Sequence, residues 1–238
     1  MLSLIFILLQ SVQAMVVGVD SRVLQAPAGA YSAVGMVETS QGQVCTGVLV
    51  GPHVAITAGH CLLKDGVLQG KEHFRYHSHF QYGATVGEWS GIQRIITAPS
   101  VAGATRSDWA ILILEKNLGD IYGTLPVRAY TRRDDHKALL RVPGYDVTHA
   151  VAKNYGISLL WNKTRGHVKG LDGNGLLYHD APTGRGASGG PLLMEENGGL
   201  VVIGITVAER REGRCPVFNK RDCHNLAVPA QEFLGLIP

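Results

Sequence analysis

Ser107-Asp108-Trp109-Ala110-Ile111-Leu112-Ile113-Leu114 joins a polar entry to the most sharply bounded apolar run of the chain. From Trp109 onward it is an unbroken apolar run, too short for an ordinary helix, and it predicts a buried strand. Asp108 stands at the mouth of that strand. A carboxylate there needs a hydrogen-bonding partner, because an isolated buried charge is costly. Turn amides nearby would serve, and so would an imidazole N–H.

Runs of the same kind recur at 45–50, 53–57, 157–161, 175–178 and 200–207. Between them, Gly51-Pro52, Asp65-Gly66, Pro143-Gly144, Asp172-Gly173-Asn174-Gly175 and Asn197-Gly198-Gly199 signal turns. Short apolar runs punctuated in this way predict an all-β chain, sandwich or barrel. No helical period lasts beyond two turns; the candidates are 59–63 and a short C-terminal helix within 229–236. The polar segment 130–137 is the expected crossing between two lobes, 15–129 and 130–238.

Composition agrees. The 238 residues include 30 glycines, well above the usual share of about 7%. Charged residues make up 17%, and the hydrophobic fraction of 45% is ample for a core, which excludes general disorder. No apolar run reaches the roughly 18 residues of a membrane-spanning helix, so no membrane partner is expected. A net charge of +3 is too small to argue for nucleic acid.

Residues 2–9, LSLIFILL, followed by Ser11-Val12-Gln13-Ala14, read as a signal peptide over 1–14. Four cysteines fall as two close pairs, Cys45/Cys61 and Cys215/Cys223. Four allow three connectivities, of which pairing neighbours is the economical one. No CxxC or zinc-ligand spacing is present, so no metal is expected. Both features predict secretion into an oxidising compartment, extracellular or periplasmic.

Three residues form one candidate catalytic set. Ser188 lies in Gly184-Arg185-Gly186-Ala187-Ser188-Gly189-Gly190-Pro191, where glycines permit a sharp turn and let the Gly186 and Ser188 amides point into one cavity. His60 lies in Thr57-Ala58-Gly59-His60-Cys61, a rigid setting for a neutral imidazole base. Asp108 would fix the tautomer of that imidazole. Gly186-Ala187-Ser188-Gly189-Gly190 also satisfies the G-x-S-x-G pattern of α/β-hydrolases. That fold needs Asp and His after the serine and helices between strands, and this chain lacks that arrangement.

TAGHC, SDWAILIL and GASGGP resemble the triad motifs of the chymotrypsin-like serine endopeptidases. Val17-Gly18-Val19-Asp20-Ser21-Arg22, Val142-Pro143-Gly144-Tyr145 and Leu177-Tyr178-His179-Asp180-Ala181 resemble the glutamyl endopeptidase branch, and the likeness spans 17–208. The resemblance implies two packed six-stranded antiparallel β-barrels with an active site between them. It implies His60 as general base, Asp108 as its orienting partner and Ser188 as nucleophile of an acyl-enzyme mechanism on polypeptide substrates. It also implies the Gly186 and Ser188 amides as oxyanion hole, Cys45–Cys61 as the histidine-loop disulfide, no cofactor, and a monomer. A catalytically silent homologue acting as a binding module is the alternative.

Departures from the family pattern are informative. Ala187 stands where animal-type members carry the Asp that pairs with a newly cut amino terminus. Pro182 stands where trypsins have an acid, so a preference for Arg or Lys is not implied. Thr183 matches a pocket threonine of the glutamyl branch, whereas Thr206 replaces its pocket histidine; Arg210 and Arg211 lie close in sequence. His73, His77 and His79 have a spacing compatible with a metal but read better as an exposed loop. Asn162-Lys163-Thr164 is a glycosylation sequon.

Overall fold

The apolar run 109–114 supplies a strand in the wall of a closed barrel. In the computed structural model, Ala110, Ile111, Leu112 and Leu114 are buried, with strands on both sides. Burying each larger side chain contributes about 1.5–3 kcal/mol. The structure describes residues 20–99, 101, 105–137, 140–147, 149, 156–163, 165–211 and 223–238, with side chains left out at 209–211 and 223. The expected signal peptide at 1–14, Cys215 and the side chains of Arg210 and Arg211 lie outside that description.

The strands are β1 (Arg22–Leu24), β2 (Val34–Thr39), β3 (Val44–Gly51), β4 (Val54–Thr57), β5 (Leu63–Lys64), β6 (Val67–Leu68), β7 (Phe74–Ser78), β8 (Phe80–Gln81), β9 (Ala84–Thr85), β10 (Trp89–Thr97) and β11 (Ala110–Leu114). After helix α1 (Leu118–Tyr122) come β12 (Leu140–Arg141), β13 (Gly144–Asp146), β14 (Ser158–Asn162), β15 (Val168–Leu171), β16 (Leu177–His179), β17 (Pro191–Glu196), β18 (Gly199–Arg211) and β19 (Cys223–Pro229).

The order β10-β11-β4-β3-β2-β7 closes into a six-stranded antiparallel barrel. The later strands form a six-stranded antiparallel sheet in the order β12-β17-β18-β19-β16-β15, and β1-β14-β13 pair separately as a smaller sheet. One core cluster runs from the barrel (Ile56, Ile111, Leu112) into the second sheet (Leu193, Val202, Ile205), so the two halves share apolar packing. A second cluster, including Leu140, Leu177, Leu192 and Ile203, fills the C-terminal half.

Asn197 and Gly198, with φ of 51° and 80°, make the two-residue turn joining β17 to β18. Both residues have the positive φ that this tight hairpin demands, which is the reason for Asn-Gly there. The polar crossing at 130–137 contains a 3-10 turn, Arg132–Asp134, and Asp134 is gripped by both terminal nitrogens of Arg128 at 2.8 Å. The C-terminal helix takes the form of two 3-10 turns, Ala230–Glu232 and Leu234–Leu236, which bury Phe233 against Trp109. Among the described residues no helix is long and apolar enough to cross a membrane.

Candidate active site

Strand register brings the first two candidate residues together. β4 and β11 pair antiparallel with Thr57 opposite Ala110, so the chain leaving β4 and the chain entering β11 meet at one end. His60 sits in the 3-10 turn Gly59–Leu62 just past β4, and Asp108 lies just before β11. A Cβ at Gly59 would lie 3.0 Å from the Trp109 amide nitrogen and 2.6 Å from Val101, so only glycine lets the turn approach this closely. The Cys45–Cys61 disulfide ties the same turn to β3.

Asp108 is fully buried, and its carboxylate is engaged by His60 twice. The His60 backbone N–H donates to Oδ1 at 2.7 Å, and the ring Nδ1 lies 2.9 Å from Oδ2. A carboxylate only accepts, so Nδ1 carries the proton and Nε2 is left as the basic nitrogen.

Ser188 occupies a loop pinned from several directions. The Thr46 N–H donates to the Ser188 carbonyl at 2.8 Å, and Thr46 Oγ1 donates to the Gly186 carbonyl at 2.8 Å. The Gly189 N–H reaches the Thr206 carbonyl at 2.7 Å, and the Ala187 N–H reaches the Gly184 carbonyl at 3.0 Å. Gly186 and Gly189 have φ of 96° and 81°, in the left-handed range where a side chain is strained. Among the described residues, neither the Gly186 nor the Ser188 N–H has a backbone acceptor.

Ser188 and His60 line one cleft of about 810 Å³, together with Gly186, Thr183, Thr206 and Asn225. The candidate residues therefore converge, with Asp108 buried behind His60. Asn225 is the one that sequence reasoning missed. It is 1% exposed, and its Nδ2 donates to the Ala181 carbonyl at 2.7 Å. Its sequence signal is a poor strand former inside a strand, between His224 and Leu226. Opposite it on β16 stands His179, fully buried, with both ring nitrogens unpartnered among the described residues.

Other candidates separate. The exposed loop expected for the three histidines does not form: His73 meets Ser40, His77 is buried in β7 between Glu38 and Thr85, and His79 packs against Tyr122. Asn162 of the sequon is fully buried, accepting from the Val142 N–H and donating to the Leu140 carbonyl. The side chain is thus committed to the core.

A closed antiparallel barrel packed beside a second, curled six-stranded sheet is the chymotrypsin fold. The Trypsin family model matches residues 22–221, and the chain belongs to that family of serine endopeptidases. A solved structure of a Glu endopeptidase in complex with MPD is similar, with a TM-score of 0.74 and 19% sequence identity. The likeness covers 93% of this chain and 98% of that one. No curated protein matches the sequence.

Proposed function

We propose that this chain cleaves polypeptides by acyl transfer to Ser188. The observation that carries the reading is the doubly bonded Asp108–His60 pair facing the same cleft as Ser188. His60 Nε2 takes the proton of the Ser188 hydroxyl as Oγ bonds to the scissile carbonyl carbon. The carbonyl oxygen becomes an oxyanion, with the Gly186 and Ser188 N–H groups as its donors. The proton on His60 then passes to the leaving nitrogen, the C–N bond breaks, and an ester on Ser188 remains. Water, losing a proton to His60, attacks that ester; the acid leaves and Ser188 regains its proton.

Thr183 and Thr206 are the proposed walls of the pocket for the residue preceding the scissile bond, and Asn225 extends it. The two lobes are taken as 15–129 and 130–238, with β1 crossing over to pair with β14. Secretion as a monomer, and a second bridge between Cys215 and Cys223, complete the reading; the Cys45–Cys61 disulfide and the leader-like start support export.

The test is digestion of casein together with labelling of Ser188 by a serine-directed phosphonofluoridate. Ser188→Ala should abolish both, and His60→Ala should nearly do so. Undiminished digestion in either variant would overturn the assignment. A wild-type chain that neither labels nor digests supports a silent binding module instead.

A further inference from the structure

Beneath the Ser188 loop lies an ion cluster, buried at Arg22 and Asp146 and exposed at Asp20, that the reaction above does not use. The Arg22 guanidinium, with its side chain 6% exposed, grips Asp20 through Nε and Nη2, both at 2.9 Å. Its third nitrogen, Nη1, pairs with Oδ2 of Asp146, a side chain that is 1% exposed. The other Asp146 oxygen accepts from the His149 N–H at 2.7 Å. Burial alone would raise the Asp20 carboxyl, but the hydrogen bonds and charge of Arg22 hold it below its ordinary value.

This cluster touches the loop directly. A Cβ at Gly184 would collide with Asp146 Oδ2 and Arg22 Nη1, so the loop backbone lies flat on the ion pair. The residue after Asp146, Val147, donates its N–H to the Arg185 carbonyl at 2.9 Å. Arg22 itself is held in place by β1, where it pairs with Asn162 of β14. Gly184 and Arg185 lead straight into Gly186 and Ser188, whose amides have no backbone acceptor to hold them among the described residues. Ala187, between them, has no charge with which to anchor the loop from inside.

We propose that Arg22 is a positioning residue for the reaction: its ion pair with Asp146 holds the 184–188 loop so that the Gly186 and Ser188 N–H groups face the oxyanion. This rests on the acyl-transfer reading. Removing the cation takes the Arg22 counter-charge from the buried Asp146 carboxylate under the loop, which costs more than the pair itself contributes. The bonds from Thr46 and Val147 remain, but the 184–185 end of the loop loses its support from below, and a shift of the amides by about 1 Å is enough to cost roughly 100-fold in rate.

The test compares Arg22→Met and Arg22→Lys with wild type in the full chain. A peptide aldehyde, which forms a tetrahedral adduct with Ser188 and needs the two amides, is set against the matching peptide alcohol, which needs only the cleft. Arg22→Met should lose about 100-fold in kcat with a small change in KM, and its aldehyde affinity should fall in parallel. Alcohol affinity should stay within about threefold, and Arg22→Lys, keeping the charge, should recover at least about tenfold of the loss. Equal weakening of aldehyde and alcohol, or wild-type kcat in a folded Arg22→Met, would overturn the proposal. If Arg22→Met does not fold, the isosteric Asp146→Asn is read by the same two affinities, and an unchanged aldehyde affinity overturns it. A wild-type chain that binds no aldehyde and cleaves nothing removes the acyl-transfer reading, and the positioning role with it.

Discussion

His60 is bound to Asp108 at two points, backbone N–H to Oδ1 at 2.7 Å and ring Nδ1 to Oδ2 at 2.9 Å. One carboxylate thereby sets both the position of the turn and the tautomer of the ring.

Asp108→Asn separates those two tasks. The amide oxygen can keep the backbone bond, which leaves the amide NH2 facing Nδ1 and moves the ring proton to Nε2. The base is then blocked with little change in shape. We expect kcat to fall by about 10⁴ with KM nearly unchanged. A kcat within tenfold of wild type would contradict the role of Asp108.

Gly189→Ala tests the loop. With φ of 81°, an added Cβ would collide with the Thr46 carbonyl and Thr57 Oγ1 and lie 2.7 Å from the Ala58 nitrogen. Strain and overpacking together should cost about 3 kcal/mol or more and disable Ser188. Gly198→Ala is the control, since its φ of 80° is similar but no atom lies within 4 Å of the added Cβ. It should cost about 1–2 kcal/mol and leave activity intact. Urea unfolding and casein digestion of both variants decide the matter; equal losses would mean the contacts around Gly189 are unimportant.

His179 should make stability depend on pH. Burial holds its imidazole down at about 4 from an ordinary 6.5, with Asp180 opposing the shift and His224 adding to it. Between those values the unfolded chain binds the extra proton, so stability is full above 6.5 and declines as pH falls toward 4. The part lost is on the order of 3 kcal/mol. His179→Met should flatten this part of the curve, as read from urea unfolding at several pH values across the window. A variant that keeps the wild-type slope would assign the effect to other groups.

Among the described residues no carboxylate lines the cleft, whose ionisable side chains are His60 and Arg185. A lysine or arginine before the scissile bond would be desolvated there without a counter-charge. Asn225, with Nδ2 committed to the Ala181 carbonyl, has its Oδ1 left to accept from a neutral polar side chain. Matched peptides with Gln at that position should be cleaved at least about tenfold more efficiently than those with Lys. A cleavage map of a peptide library dominated by Lys and Arg would sink this expectation.

The amino-acid sequence by itself determined the local elements. A short apolar run with a turn on each side is too short for an ordinary helix and buries its backbone best as a strand, which is why 109–114 and 200–207 were readable. The glycines around Ser188 and the histidine before Cys61 were equally plain, because their meaning lies in bonded neighbours and in the backbone angles those neighbours permit. Only the tertiary structure decided that His60 and Asp108 touch, since that contact depends on β4 and β11 pairing with Thr57 opposite Ala110. The same holds for Asn225, whose place in the cleft wall follows from the β16–β19 register, and for Arg22 and Asp146, which are 124 residues apart. Strand register and the burial of paired charges are set by the packing of the whole chain, and no short stretch of sequence encodes them.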